Sequence, residues 1–296
     1  MSDQGSSLVA KFGIGVILVL IAVNLFSGLV AKKVGIPGVF EIEFGSKENP
    51  QPTQAPATPQ PSMQPVAPLP LPQATLVVDQ LHRGDYTTIT KAVKAARPGM
   101  RIIVRPGLYE EGLVIDKPLE IIGDGEVGEV VIRAVGKNVV LFKTNMGRIS
   151  NLALRQEGGG EWFGVDITQG RLELEGCDIS SQSLACVAIH GGADPRLRRN
   201  RIHDGKAGGV FVYENGQGLL EDNDIFGNAF AGVEIRTGGN PTVRKNRINR
   251  NADQAVYIHE KGHGMIEDND LRDNAKGAWL IPSDNKGNVK RARNVE

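Results

Sequence analysis

Residues 219–264 read LLEDNDIFGNAFAGVEIRTGGNPTVRKNRINRNADQAVYIHEKGHG, and the second half repeats the first at a step of 23 residues. Self-similarity at a fixed step is the signature of a solenoid. The step extends both ways. Cys177-Asp178-Ile179, Asn200-Arg201-Ile202, Asn223-Asp224-Ile225, Asn246-Arg247-Ile248 and Asn269-Asp270-Leu271 share it. So do Leu174, Leu197, Leu220, Val243 and Ile266, and Val187, Val210, Val233, Val256 and Trp279. Ile189, Val212, Ile235, Ile258 and Ile281 form a fourth column. Apolar residues alternate inside each copy (Val233, Ile235; Val256, Ile258), which is strand periodicity. Each copy therefore reads as short strands joined by tight turns, one coil of a β-solenoid. Coils stack at ~4.8 Å.

Stacking assigns the remaining columns. Cys177 is followed by Asn200, Asn223, Asn246 and Asn269, an expected asparagine ladder. Gly205, Asn228, Asn251 and Asn274 share one turn column, and Gly216, Gly239 and Gly262 another. Glycine and asparagine tolerate a left-handed backbone, so left-handed turns are expected there. Two charge columns alternate in sign at every coil: Glu175, Arg198, Glu221, Arg244, Glu267, and Asp178, Arg201, Asp224, Arg247, Asp270. Opposite charges across adjacent strands support pairing. These acids and arginines are read as structural register devices, not catalytic groups.

Upstream the pattern loosens. Phe163–Ile167 matches the Val/Ile strand with a one-residue slip, and 149–154, 139–142 and 130–132 read as earlier strands. A solenoid end needs a cap. Residues 84–99 supply one: Thr87 or Thr88 can N-cap a helix whose Ile89, Ala92, Val93 and Ala96 form an apolar stripe. Strand Arg101 to Val104 then begins the first coil. The β-helix is placed at 74–287, with 288–296 a C-terminal tail.

Ahead of it the composition changes. Phe12 to Val30 is nineteen residues without a charge, ~28 Å as a helix, enough to span a bilayer. Residues 1–11 form an N-terminal tail and 31–48 a juxtamembrane segment. The apolar run is longer than a usual signal-peptide core, and no small-x-small cleavage site follows it. Lys11 and the α-amine on one side nearly balance Lys32 and Lys33 on the other, so the positive-inside rule assigns neither side. Pro50 to Pro72 holds nine prolines. Residues 49–73 are thus read as a disordered, proline-rich linker that favours polyproline II.

The chain has 34 Lys+Arg and 34 Asp+Glu. That balance argues against a nucleic-acid partner. Two cysteines without CxxC spacing make neither a disulfide framework nor a metal site, and no cofactor is indicated.

Residues 76–125 (TLVVDQLHRGDYTTITKAVKAARPGMRIIVRPGLYEEGLVIDKPLEIIGDG) resemble the N-terminal cap and first coil of pectinesterase-like and other pectate-lyase-fold proteins. Residues 174–281, with GGVFVYENGQG and EDNDIFGNAFAGVEI, resemble right-handed parallel β-helix repeats of bacterial surface, kinase-associated and F-box-type proteins. The resemblance covers 76–287 and implies an all-β, single-stranded right-handed parallel β-helix. It also allows activity on acidic polysaccharide. Pectinesterases carry a catalytic Asp in a DFIFGNA-type motif. Here 225–229 match its end, but Asn223 stands where that Asp would be and Asp224 where Phe would be. No QDT or GRPW follows.

The candidate site lies on the outward positions of the Val-x-Val/Ile strand. One column reads Ala188, Phe211, Glu234, Tyr257, Leu280, and the next His190, Tyr213, Arg236, His259. Phe211, Tyr213, Glu234, Arg236, Tyr257, His259 and His190 thus form a mixed aromatic and charged strip, the composition of binding hot spots. Three functions fit: a membrane-tethered, non-catalytic recognition surface for protein or carbohydrate; a polysaccharide lyase or esterase-like enzyme with Glu234 paired to His259 or Arg236; or a structural spacer. His203 and Asp204 read as surface residues.

Overall fold

In a computed structural model, residues 74–296 are described in full, together with two short strands, Val34–Ile36 and Phe40–Ile42. Those two pair antiparallel, within the stretch read as juxtamembrane. The apolar segment 12–30 and the linker 49–73 lie outside the described residues. Among the described residues no helix is long and apolar enough to cross a membrane.

Residues 74–296 form a parallel β-solenoid whose coils each contribute to three sheets of ten, seven and eight strands. We call these sheets 1, 2 and 3. From Leu174 onward the register is the 23-residue step: Leu174 faces Leu197, Asp178 faces Arg201 and Val187 faces Val210, and so on coil after coil. Every residue of the Leu/Val, Ile and Val/Ile columns up to Ile258 is fully buried. One continuous interior thus runs the length of the solenoid. The slip at Phe163–Ile167 is real: Val165 pairs with Val187, 22 residues on.

The cap is a helix at Ile89–Ala95. Thr88 is its N-cap, and Ile89, Ala92 and Val93 are buried. Its first amides are satisfied from the coil below. Glu111 accepts hydrogen bonds from the Ile89 and Thr90 N–H groups at 2.8 and 2.7 Å, the placement a helix N-terminus favours for a carboxylate.

The structure corrects the sequence at five points. First, strand Thr75–Val78 pairs in parallel with Arg101–Val104, so sheet 1 begins one strand earlier than expected. Second, the coils do not end at 287. Val289–Ala292 pairs with Gly264–Glu267, and Asn294 accepts from the Asn269 N–H at 3.1 Å, so the supposed tail 288–296 extends the ladder. Its spacing of 25 residues rather than 23 hides it. Third, Asn228, Asn251 and Asn274 are not left-handed. The left-handed residue is the one before each: Gly227, Arg250 and Asp273, at φ 67°, 52° and 61°. The asparagines instead build a second ladder, with Oδ1 of Asn251 accepting from Asn228 N at 3.1 Å and Nδ2 at 2.9 Å.

Fourth, Gly216, Gly239 and Gly262 are not left-handed either. They mark close approach: a Cβ there would lie 2.4–2.6 Å from the carbonyl oxygens of Ile189, Val212 and Ile235. Fifth, the two charge columns differ. In the first, Glu221 is held by Arg198 at 3.2 Å and Arg244 at 2.6 Å. In the second, register alternates as expected, but among the described residues only Arg201–Asp178 closes as an ion pair, at 2.8 Å. Arg201 lies over the Phe226 ring at 5.4 Å, and Asp270 turns to Arg272. Local partners compete successfully because an exposed ion pair is worth only ~0–1 kcal/mol.

Candidate functional site

Sheet 3 carries the predicted strip. The inward residues Val210, Val212, Val233, Ile235, Val256 and Ile258 are buried, which forces Phe211, Tyr213, Glu234, Arg236, Tyr257 and His259 outward, where each is half-buried. Parallel strands hold them in register: Ala188 beside Phe211, Phe211 beside Glu234, Glu234 beside Tyr257. Ala188 is outward too, yet wholly covered.

The side chains make one connected network. His190 stacks on Tyr213 at 4.7 Å between centroids, and Tyr213 stacks on Phe211 at 4.3 Å. The Arg236 guanidinium covers the Phe211 ring at 4.9 Å and reaches toward Glu260 at 3.9 Å. Tyr257 stacks on His259 at 4.1 Å. His259 Nε2 lies 3.1 Å from Glu234, and its Nδ1 lies 3.6 Å from Glu260.

His190 repeats that arrangement, with Nε2 2.9 Å from Asp166 and Nδ1 3.6 Å from Glu214. The hydrogen bond to Asp166 raises the His190 pKa against the opposing effect of burial. Burial, followed by the charges of Asp166 and Glu214, pushes the Tyr213 hydroxyl up to about 12. Asp166 is the member that sequence reasoning missed. It is the outward residue of strand Val165–Ile167, in register with Ala188, and the upstream slip in spacing conceals that.

The turn after each strand is strained. Glu214, Thr237 and Glu260 occupy one column with φ of 45°, 48° and 46°. A left-handed β-branched residue is unusual, and such strain is concentrated at functional positions.

A second cluster lies on sheet 2. Asp178 is buried, and it accepts from Arg155, from Arg201 at 2.8 Å and from His203 Nε2 at 2.9 Å. His203 Nδ1 meets Asp204 at 2.8 Å. His203 is therefore a bridge between coils, not a free surface residue. Burial pushes the Asp178 carboxyl up, but its bonds and charges from His203 and Arg155 outweigh this and hold it at about 2. The same bond to Asp178 raises the His203 pKa.

These shifts fix a pH response. A histidine whose folded pKa is raised contributes stability below its unfolded pKa near 6.5 and loses it as pH rises through the folded value. Asp178 contributes above its unfolded value of 3.8 and loses this as pH falls toward 2. Stability is therefore expected to be highest between about pH 4 and 6.5. The melting temperature should drop from pH 6 to pH 9, and His203→Gln with His190→Gln should flatten that drop. A melting temperature rising over the same range would contradict it.

Sheet 1 bears a shallow groove of about 450 Å³ lined by Arg148, Arg171, Arg196, Glu120, Glu173 and Met146 among others. Glu120, Arg148, Glu173 and Arg196 of its lining belong to a third alternating column, which Arg101 begins, in direct register. Arg101–Glu120 at 2.7 Å and Arg148–Glu120 at 3.2 Å close its first rungs. We read it as another register device. Among the described residues, no group of three or more His, Cys, Asp or Glu side chains is placed to hold a metal ion. Cys177 and Cys186 are buried thiols, pushed up to about 12 by burial.

A family model described as the right-handed beta helix region matches residues 138–294, just over half the chain. No curated protein matches it in sequence. Among solved structures, a pectin methylesterase mutant in complex with a hexasaccharide is 14% identical at a TM-score of 0.54, over 70% of this chain and 80% of its own. The pectin methylesterase from carrot is 14% identical at 0.48, over 74% and 82%. The A-module of a mannuronan C-5 epimerase from Azotobacter vinelandii is 17% identical at 0.35, over 65% and 74%. At such identities the first likeness establishes a shared fold and nothing about activity.

Proposed function

The chain belongs to the right-handed β-helix family, and from that premise we propose that it is a membrane-tethered β-helix presenting a non-catalytic recognition surface on sheet 3. One observation carries the reading. Aromatic rings, histidines and both charge signs form a single network across consecutive coils: Asp166, His190, Phe211, Tyr213 and Arg236, joined through Glu260 to Glu234, Tyr257 and His259. Aromatic and arginine enrichment on a firm scaffold suits binding.

Catalysis is less well supported. A histidine acting as general base needs a free nitrogen aimed at substrate. In both His190 and His259 each ring nitrogen already faces a carboxylate. The tether is proposed from residues 12–30, with 49–73 as the spacer.

The test uses the full chain. It should sediment with membranes and resist carbonate extraction. Tyr213→Ala and Tyr257→Ala should each weaken capture of a protein or glycan partner about tenfold, while stability changes by under ~1 kcal/mol. Turnover of a uronate polymer, abolished by Glu234→Gln, would replace this reading with an enzymatic one.

A further inference from the structure

We infer that the groove on sheet 1 seats a segment of this same chain, the proline-rich stretch 68–72 (PLPLP). The point where the chain enters the solenoid carries the argument. Strand Thr75–Val78 opens sheet 1, and the Ala74 carbonyl accepts from the Arg101 N–H at 3.0 Å. Gln73, one residue earlier, falls in the column that continues through Gly99, Pro118, Met146 and Arg171, just ahead of the successive strands. Those four residues line the groove. The compact unit that contains the solenoid is bounded at Pro68.

Sequence and length both suit the groove. Every residue of 68–72 is a proline or precedes one. Proline fixes its own φ and restricts its predecessor to extended backbone, so the segment is pre-organised as polyproline II and loses little entropy on docking. It cannot lengthen sheet 1 instead, because proline gives a strand no N–H. The lining runs from Gly99 to Arg196, four coil steps, or ~19 Å. Residues 68–73 as polyproline II also span ~19 Å.

The chemistry of the walls selects among occupants. Met146, 56% exposed, and Pro118 offer apolar surface to Leu69 and Leu71. A prolyl residue only accepts hydrogen bonds and a guanidinium only donates them. Arg171 meets Asp194 at 3.3 Å yet keeps 72% of its side chain exposed. Arg196 closes no ion pair among the described residues. Both can donate to the segment's carbonyls. Residues 68–73 carry no charge, which a lining of mixed sign tolerates. An anionic ligand would meet Glu120 and Glu173, and a cationic one the three arginines.

Peroxide oxidation of the full chain tests this, since methionine oxidation follows exposure. On the solenoid's own surface Met146 is more open than Met265, the other exposed methionine among the described residues, at 56% against 39%. With 68–72 seated the order reverses, and Met146 is expected to oxidise about fivefold more slowly than Met265. Leu69→Ser with Leu71→Ser should restore the faster rate at Met146 and leave Met265 unchanged, which also shows that the solenoid is folded. Protection should survive a ~100-fold dilution, as a contact within one chain does. Faster oxidation of Met146 than of Met265 in the full chain overturns the inference, and so does protection that persists in the double variant. Protection lost on dilution overturns docking within one chain and gives the groove to a second copy.

Discussion

Asn223→Ala is expected to lower the unfolding free energy by about 3–4 kcal/mol, well above the cost of an ordinary substitution. Asn223 is 2% exposed and is bonded on every polar edge. Its Oδ1 accepts from the Asn200 backbone N–H and from Asn200 Nδ2, both at 3.0 Å. Its Nδ2 donates to the Leu197 carbonyl and to Asn246 Oδ1, both at 2.9 Å. Alanine strips partners from the coils above and below at once. Each buried group left unpaired costs ~1–3 kcal/mol. The loss should appear as a lower denaturant midpoint at unchanged slope, since the exposed area on unfolding hardly changes. Asn294, at the half-exposed end of the same ladder, has solvent as a substitute partner and should cost under ~1 kcal/mol as alanine. Equal losses at the two positions would mean that ladder burial is not the source.

What could be read from the sequence followed from coil length. Between Leu174 and Ile266 every coil has the same number of residues, so a fixed step lines up core, ladders and outward strip together. Before that, turns vary in length. Arg101 pairs with Glu120, Glu120 with Arg148, and Arg148 with Glu173, at separations of 19, 28 and 25 residues. No periodic search recovers such a column, and Asp166 was lost beside His190 for the same reason. The exchange of roles between Gly227 and Asn228 has a different origin. Asparagine is common both in left-handed turns and in stacked amide ladders. Composition alone gives no preference, and only the direction of the side chain decides.

The sign of the charges alternates by whole coils, and deletion exposes it. The corner between sheets 1 and 2 carries Arg198, Arg199 and Arg201 in one coil and Glu221, Asp222 and Asp224 in the next. Arg244, Lys245 and Arg247 follow, then Glu267, Asp268 and Asp270. Removing residues 206–228 deletes one coil and keeps every apolar column in register. However, it stacks the arginine coil on the arginine and lysine coil. Three facing positions change from opposite to like charge. Among the described residues only Arg198–Glu221 of these closes as an ion pair. Each position still exchanges ~0.2–1 kcal/mol of attraction for repulsion of similar size, a penalty of about 2–3 kcal/mol beyond the lost coil. Removing 206–251 deletes two coils and sets arginines against Glu267, Asp268 and Asp270 again. In an additive solenoid the second deletion would cost twice the first. Here the double deletion should fall short of twice the single loss by about 4–6 kcal/mol, because the single deletion alone carries the repulsion. Salt distinguishes the cause. Screening should raise the melting temperature of the single deletion selectively, since it weakens repulsion between partly exposed like charges. Losses proportional to the number of coils removed, with no selective rescue by salt, would show that the apolar interior and amide ladders set the register unaided.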